Sequence, residues 1–436
     1  MDKNMVHDVY QRLGKKINDL TMRTPWNETF HSILKDLYTP QEADVVVNMP
    51  YTLSSLKRIA RVTGVEELLL RNVLDSLCKK GLVIDLFNER DNQYYYMPSP
   101  LAIGIFEFTM MRTRGDLNTK HWAELFHRYF DSVYPANFSN GEEISVLRVI
   151  PVEETVSPDE HIEFFDYERI SSLIENTDRF AIGICSCRNE KLQIGEKKCD
   201  APIECCSMLG FGADYMIRNN LAREVSKSEM QDNFARSREH GLVFCATNSK
   251  KAPYAICHCC KCCCNYLAGL NTYGFRNSMI TSNFIASVSE SACKGCGKCE
   301  QACPVNAMNL VSAEDSHDSK KKKARVNTAI CIGCGVCALK CAQGAIHLVN
   351  RGKRSIHPDT LFETTILSCL ERGTLQNQIF DNPRSITQKF MRSFIGGFLR
   401  LPSVKKTLMS DTFRSSFLSF MKIGAGLQGK GWITRL

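Results

Sequence analysis

Hydrophobic positions near the start of the chain recur at helical steps, as at Phe30, Ile33, Leu34 and Leu37, so residues 1–40 are expected to be helical. Leu56, Ile59 and Ala60 mark the face of a further helix that turns at Thr63-Gly64. Leu69, Val73, Leu74 and Leu77 form the inward stripe of the next one, which Lys79-Lys80-Gly81 closes. Leu82-Val83-Ile84 and Tyr94-Tyr95-Tyr96 then read as two strands around a polar turn, Asn88 to Asn92. Two helices followed by such a hairpin make a winged-helix pattern over 41–98. The chain reads as helical again from Pro98 to about Tyr134, as a strand over Val146–Pro151, and as an acidic linker from Glu153 to Glu163. Far downstream, Phe390, Phe394, Phe398 and Leu401 recur at steps of three and four, as do Phe413, Phe417, Phe420 and Met421. That spacing predicts an amphipathic helix pair separated near Pro402. No apolar run reaches the roughly 18 residues of a membrane span, and Glu107 interrupts even Ala102–Met111.

Composition adds the chemistry. Of 436 residues, 44% are hydrophobic, which suits a buried core, yet 22 are cysteine. Only Cys78 and Cys369 lie outside 185–341. The amino terminus has no signal-peptide core, so a cytoplasmic location is expected, where a disulfide scaffold is disfavoured and metal or redox chemistry is the better reading. Charge is localised as well. The formal +8 resides in Asp381–Leu436, where ten basic residues face Asp381 and Asp411. The 41–98 segment carries seven basic and eight acidic residues. This is a poor footprint for phosphate, so the balance speaks against DNA and for protein docking or a purely structural role.

The strongest motif is Cys293-Lys-Gly-Cys296-Gly-Lys-Cys299-Glu-Gln-Ala-Cys303-Pro304, repeated as Cys331-Ile-Gly-Cys334-Gly-Val-Cys337-Ala-Leu-Lys-Cys341. Both runs have the bacterial-ferredoxin spacing, in which three thiolates hold one [4Fe–4S] cluster and the fourth ligates the other. Cys293, Cys296, Cys299 and Cys341 are therefore assigned to one cluster, and Cys331, Cys334, Cys337 and Cys303 to its neighbour. Gly295, Gly297, Gly333 and Gly335 are expected to let the backbone pass close to the inorganic sulfides. Ala342 replaces the proline that usually follows the second repeat. A polar insert, Ser312–Arg325, contains Lys320–Lys323, which is read first as solvated surface, with docking of an acidic electron-transfer partner as the alternative.

Upstream, Cys185-Ser-Cys187-Arg188 precedes Cys199-Asp-Ala-Pro202-Ile-Glu-Cys205-Cys206, and after Cys245 comes Cys257-His-Cys259-Cys260-Lys-Cys262-Cys263-Cys264. Adjacent cysteines bridge only with strain, so these thiols are read as metal ligands. One further cluster is expected on Cys185, Cys187, Cys199 and Cys205, and another on part of Cys257, Cys259, Cys260, Cys262, Cys263 and Cys264. Arg188 and Lys261 are read first as exposed cations, with hydrogen bonding to cluster sulfur as the alternative. His258 and His347 are read as ordinary core or surface residues.

The order of these pieces resembles a group of 4Fe–4S dicluster ferredoxin-domain proteins of anaerobes. Those proteins join a CxCR and CxCCxCCC cysteine-rich module to a paired ferredoxin unit, often behind a winged-helix-like amino terminus. Cys206 and Cys245 fall outside that pattern. The resulting expectation is an α+β, multidomain chain. A helical domain over 1–150 is followed by a cysteine-rich Fe–S module over 151–285. A 2[4Fe–4S] ferredoxin domain then spans 286–350, before a helical basic tail over 351–436. The expected function is intracellular electron relay to or from an oxidoreductase partner, with 384–436 docking that partner or a membrane. Two other readings stay open: an Fe–S redox-sensing transcriptional regulator, and a catalytic Fe–S reductase subunit. The one Gly-x-Gly-x-x-Gly, Gly424-Ala-Gly426-Leu-Gln-Gly429, has too few residues after it for the helix that would cradle phosphate, so a flavin or nicotinamide is expected on a partner.

Overall fold

Local signals set the amino-terminal helices. In the computed structural model, which describes residues 8–112, 118–133, 143–159, 164–274, 279–312, 322–352 and 355–436, helices span Val9–Asn18, Glu28–Leu37 and Pro40–Asn48. Asn27 caps the second through Phe30 N at 2.8 Å. Thr39 and Glu42 form a capping box around Pro40 on the third. Two more helices, Leu56–Thr63 and Glu67–Lys80, end at Gly64 and Gly81 in the left-handed conformation. The buried stripe of the latter is Leu70, Val73, Leu74 and Leu77. Leu69, expected inside, is 47% exposed. The Glu66 side chain caps Leu68 and Leu69 from outside, and this turns that first turn toward solvent. A short strand β1 (Ser54–Ser55) and the hairpin of β2 (Val83–Asn88) and β3 (Gln93–Pro98) complete this unit, in the order β1-β3-β2. The hairpin is not free: Tyr95 packs on Trp432 with ring centroids 4.8 Å apart, and Asp85 pairs with Arg218.

The region expected as a cysteine-rich module is built on a six-stranded antiparallel sheet. Its strands are β4 (Leu147–Ile150), β5 (Phe180–Ile184), β6 (Glu204–Leu209), β7 (Ala222–Val225), β8 (Val243–Thr247) and β9 (Ala255–Cys259), in the order β4-β8-β9-β6-β5-β7. The strand expected within 1–150 thus pairs with β8 and belongs to this sheet. Helices Ile170–Glu175 and Lys227–Glu239 pack their Ile174, Met230 and Phe234 against Ile182, Phe244 and Ile256 on one face. Helix Gly210–Arg218 covers the other with Ala213, Tyr215 and Met216 against Cys206, Met208 and Ala255. The acidic segment expected as a linker is in part docked: Val152 N donates to Cys334 O at 3.1 Å and Ser157 N to Leu348 O at 2.9 Å. Its residues 160–163 lie outside the described residues.

Two antiparallel strand pairs follow, β10 (Phe284–Val288) with β13 (Ile346–Asn350) and β11 (Met308–Ser312) with β12 (Lys322–Val326). Short helices Lys298–Ala302 and Val336–Leu339 lie between them. Of the lysine run, Lys320 and Lys321 lie outside the described residues. Lys323 is turned inward and donates to Cys293 O at 2.5 Å.

The tail forms three helices rather than a pair: Ile386–Leu399, Pro402–Met409 and Asp411–Leu427. Pro402 occupies the first turn of the second, where its missing N–H costs nothing. Several of its cations hold the tail to the body. Arg392 donates to Phe380 O and Asn382 O at 2.7 and 2.8 Å, and Lys405 to Glu371 O at 2.9 Å. Lys422 reaches Glu363 at 2.5 Å. The predicted stripes divide: Phe390, Phe394 and Phe420 face out, each about 70% exposed, whereas Phe417 and Met421 pack against the cluster of Ile366, Leu367 and Leu370. No helix among the described residues is long and apolar enough to cross a membrane.

Asp381 locks the tail to the amino-terminal unit. Its carboxylate, 3% exposed, takes Arg58 Nη2 at 2.6 Å and Lys430 Nζ at 2.6 Å, and also accepts from Thr52 Oγ1. Burial alone would raise its pKa. The Arg58 hydrogen bond and the charges of Lys430 and Arg58 outweigh burial and bring it to about 2. Because the folded pKa is depressed, this stabilisation is complete above the ordinary carboxylate pKa of 3.8 and is lost as pH falls toward about 2. Asp381→Ala leaves two half-buried cations without their carboxylate and is expected to cost about 3 kcal/mol at neutral pH, read by denaturant unfolding. An unchanged midpoint would show that the lock carries no stability.

Candidate metal centres

The two ferredoxin-type repeats each begin in a tight loop whose backbone only glycine can follow. Gly295 and Gly333 have φ of 66° and 67°, and a Cβ on either would sit 2.1 Å from a carbonyl oxygen, Lys322 O or Phe284 O. The requirement for glycine there therefore comes from a neighbouring strand as well as from any close approach to cluster sulfide. These loops fold back to enclose two separate cavities. One, of about 140 Å³, is lined by Cys293, Cys296, Cys299 and Cys341, together with Leu310, Ala324 and Ile346. The other is lined by Cys303, Cys331, Cys334 and Cys337 among Met308, Val326, Ile332 and Leu348. Each cavity thus draws its fourth cysteine from the opposite repeat.

Their surroundings differ. All four cysteines of the second cavity are buried, whereas Cys296 of the first is exposed and Cys293 and Cys341 are half-buried. Backbone amides already point at the sulfur atoms: Ala307 N donates to Cys303 Sγ at 3.1 Å and Ala324 N to Cys293 Sγ at 3.4 Å. Such bonds favour the thiolate and raise the potential of a bound cluster. Burial raises the pKa of Cys334 and pushes Cys337 up to about 12, a cost that a bound cation removes. Four thiol donors around an apolar hollow fit an iron–sulfur cubane, which would supply one-electron chemistry.

Residues 292–354 match the family model of a 4Fe-4S dicluster domain. No curated protein and no solved structure matches the chain. The dicluster domain is packed into the rest of the molecule. Asn271, on the helix Asn265–Tyr273 that follows Cys264, donates to Pro304 O at 2.7 Å, and Lys261 reaches Asn306 at 2.7 Å. Lys261 is otherwise the exposed cation expected from sequence.

The upstream cysteines form two groups, and they divide differently from the sequence expectation. Cys199 does not join Cys185, Cys187 and Cys205. Its Sγ lies 3.7 Å from Cys260 and 3.9 Å from Cys263, and Cys262 completes a quartet whose sulfur atoms are all within 4.8 Å of one another. The loop after helix Ser186–Gln193 carries Cys199 away from the start of that helix, where Cys185 and Cys187 sit.

The remaining eight thiols form a second nest around the end of the sheet. Cys206 on β6, Cys245 on β8, and Cys257 and Cys259 on β9 share one face, because alternate residues of a strand point the same way. Hydrogen bonds link Cys185 to Cys205, Cys206 to Cys257, Cys187 to Cys264, and Cys259 to Cys245. The accepting thiols Cys205, Cys257 and Cys264 have lowered pKa values for that reason, and their donors are raised. Cys206 and Cys245, outside the sequence pattern, are thus members of the nest. No local signal marked them, because β6 and β8 are buried along nearly their whole length and show no alternation of apolar and polar positions.

Arg188 is a clear correction, being fully buried rather than exposed. Its Nη1 donates to Cys205 Sγ at 2.7 Å and its Nε to Cys260 Sγ at 3.4 Å, so one guanidinium joins the two groups. It also donates to the carbonyls of Pro202 and His258. Burial opposes its charge, but the facing thiols hold the guanidinium protonated. His258 is an ordinary core residue, set between Ser207 Oγ at 2.9 Å and Ser237 Oγ at 2.7 Å.

Arg188→Leu should strip the counter-charge from both groups and destabilise the protein by about 3–5 kcal/mol. Arg188→Lys should recover only part of this, because one ammonium cannot span the same fork. Thermal unfolding of both variants checks the order. Equal stability of Leu and Lys variants would mean that charge plays no part.

Proposed function

We propose that this chain is an iron–sulfur electron-transfer protein. It passes electrons through the two [4Fe–4S] clusters of its dicluster domain, and through further metal held by the upstream thiols, to or from an oxidoreductase partner. The observation that carries the reading is the exchange of fourth cysteines between the two cavities, since it holds two clusters side by side on one pair of loops. The exposed Cys296 gives the first cluster a route to a partner protein. The second lies inside, where Asn271 and Lys261 bring the Cys257–Cys264 run against the turn after Cys303. That order suits a relay from surface to interior.

The 41–98 unit supports docking within the molecule better than gene regulation. Its wing is engaged by Trp432 and Arg218, and Arg384 of the tail bonds to Val62 O and Thr63 O at the end of its first helix. For the tail, the partner we favour is an anionic lipid surface. Phe390, Phe394 and Phe398 form an exposed row, and the exposed charges of the tail are Arg384, Lys389, Arg400, Lys406 and Arg435 against Asp411 alone, which Arg414 pairs. An apolar row bordered by cations is the chemistry that seats a helix in an anionic interface.

Anaerobic iron and acid-labile sulfide analysis with electron paramagnetic resonance tests the relay. Iron should exceed the roughly eight atoms of two cubanes. Cys341→Ser should perturb the cluster of Cys293, Cys296 and Cys299 and weaken its neighbour. Saturation near eight removes the upstream part, and spectra unchanged by Cys341→Ser remove the ligand exchange. Flotation with phosphatidylglycerol vesicles tests the tail. The chain should float, and the triple change Phe390→Ser, Phe394→Ser, Phe398→Ser should abolish it. Equal flotation of both proteins rejects the lipid surface.

A further inference from the structure

The Cys199 quartet has a geometry of its own. The measured Sγ separations are 3.3 Å for Cys262–Cys263, 3.7 Å for Cys199–Cys260, and 3.9 Å for both Cys199–Cys263 and Cys260–Cys262. A tetrahedral ion with metal–sulfur bonds of about 2.3 Å places its four donors about 3.8 Å apart. A cubane behaves otherwise, because each thiolate binds its own iron and points away from the other three. The dicluster domain provides the comparison within this molecule. Its quartets surround cavities, whereas among the described residues Cys199, Cys260, Cys262 and Cys263 are the set of donors gathered within 4.8 Å of one another.

We propose that Cys199, Cys260, Cys262 and Cys263 hold a single divalent ion as a tetrathiolate site, free of inorganic sulfide and distinct from the iron–sulfur clusters. Zn²⁺ and Fe²⁺ share this ligand chemistry. The site closes a long loop: it pins Cys199, which follows helix Ser186–Gln193, to the tight turn that leaves β9. Four thiolates and one divalent ion carry a net charge of −2, and Arg188 offsets part of it through Nε on Cys260 Sγ. Cys260 and Cys263 are buried beside Ala201 and Leu242, so those two bonds are shielded from water, while Cys262 lies at the surface. The ion thereby positions the guanidinium that also donates to Cys205, on the edge of the second nest. The inference is independent of the relay reading, since a structural ion would sit here whether or not the clusters carry current.

The test uses the full chain purified anaerobically, with metal and acid-labile sulfide measured together on wild type, Cys199→Ser and Cys262→Ser. The second variant alters an exposed residue and guards against misfolding of the first. The wild type should contain one zinc per chain, or one mononuclear high-spin ferrous ion by Mössbauer spectroscopy. X-ray absorption at that metal should find four sulfur neighbours at about 2.3 Å. Both variants should lose that ion while sulfide and the paramagnetic signals of the dicluster domain stay unchanged. A parallel fall of sulfide and iron in either variant would assign the quartet to a cluster and overturn the proposal. So would unchanged metal in both. Loss of the dicluster signals in Cys341→Ser alone bears on the relay and leaves this site standing.

Discussion

A guanidinium buried away from water is expensive unless its donors are met, and Arg188 meets that demand with two thiols and two backbone carbonyls. Its partners come from four places in the chain: Cys205 on β6, the Pro202 carbonyl before it, the His258 carbonyl on β9 and Cys260 just beyond β9. Satisfying one side chain therefore fixes the ends of two neighbouring strands and the loop between Cys199 and Cys205. The thiol groups on either side are held apart by the same fork that neutralises them. Lysine, a single point charge, could not divide its bonds this way.

Around that fork, the sheet and the dicluster domain share a hydrophobic core. Cys245, Cys259 and Cys264 of the upstream nest belong to the same buried cluster as Cys303, Cys331, Cys334 and Cys337. Such continuity keeps these thiols away from water, the setting in which hydrogen bonds to sulfur have most influence on the potential of any bound cluster. β13 borders both cavities, through Ile346 and Leu348, whereas the segment beginning at Val152 bonds to Cys334 O beside the second, whose four cysteines are all buried.

At the tail the usual division of labour is reversed. Cations reach inward to carbonyls and carboxylates, and most of the phenylalanines point outward. Periodicity located the stripe but could not say which way it faced. A stripe of Phe at steps of three and four is equally suited to a core or an interface, and only the tertiary packing decides that Phe390, Phe394 and Phe398 face out while Leu399, Phe417, Leu418 and Met421 pack on the body.

What the sequence determined by itself was chemistry held in short spacing. The two repeats of four cysteines announced the exchange of fourth cysteines between the two cavities, and residues 292–354 match the model of a 4Fe-4S dicluster domain. The helix ends at Gly64 and Gly81, and the hairpin over 83–98, were legible because capping and turn chemistry act within a few residues. The six-stranded sheet was not, since its strands are four to six residues long, most of them buried along their length and without alternation. Tertiary structure alone decided that Cys199 joins Cys260, Cys262 and Cys263, that Cys206 and Cys245 enter the nest, and that Arg188 is buried. These are contacts between residues up to 72 positions apart. Their register depends on which strands pair, and strand pairing is set by the packing of the whole sheet rather than by any local run of residues.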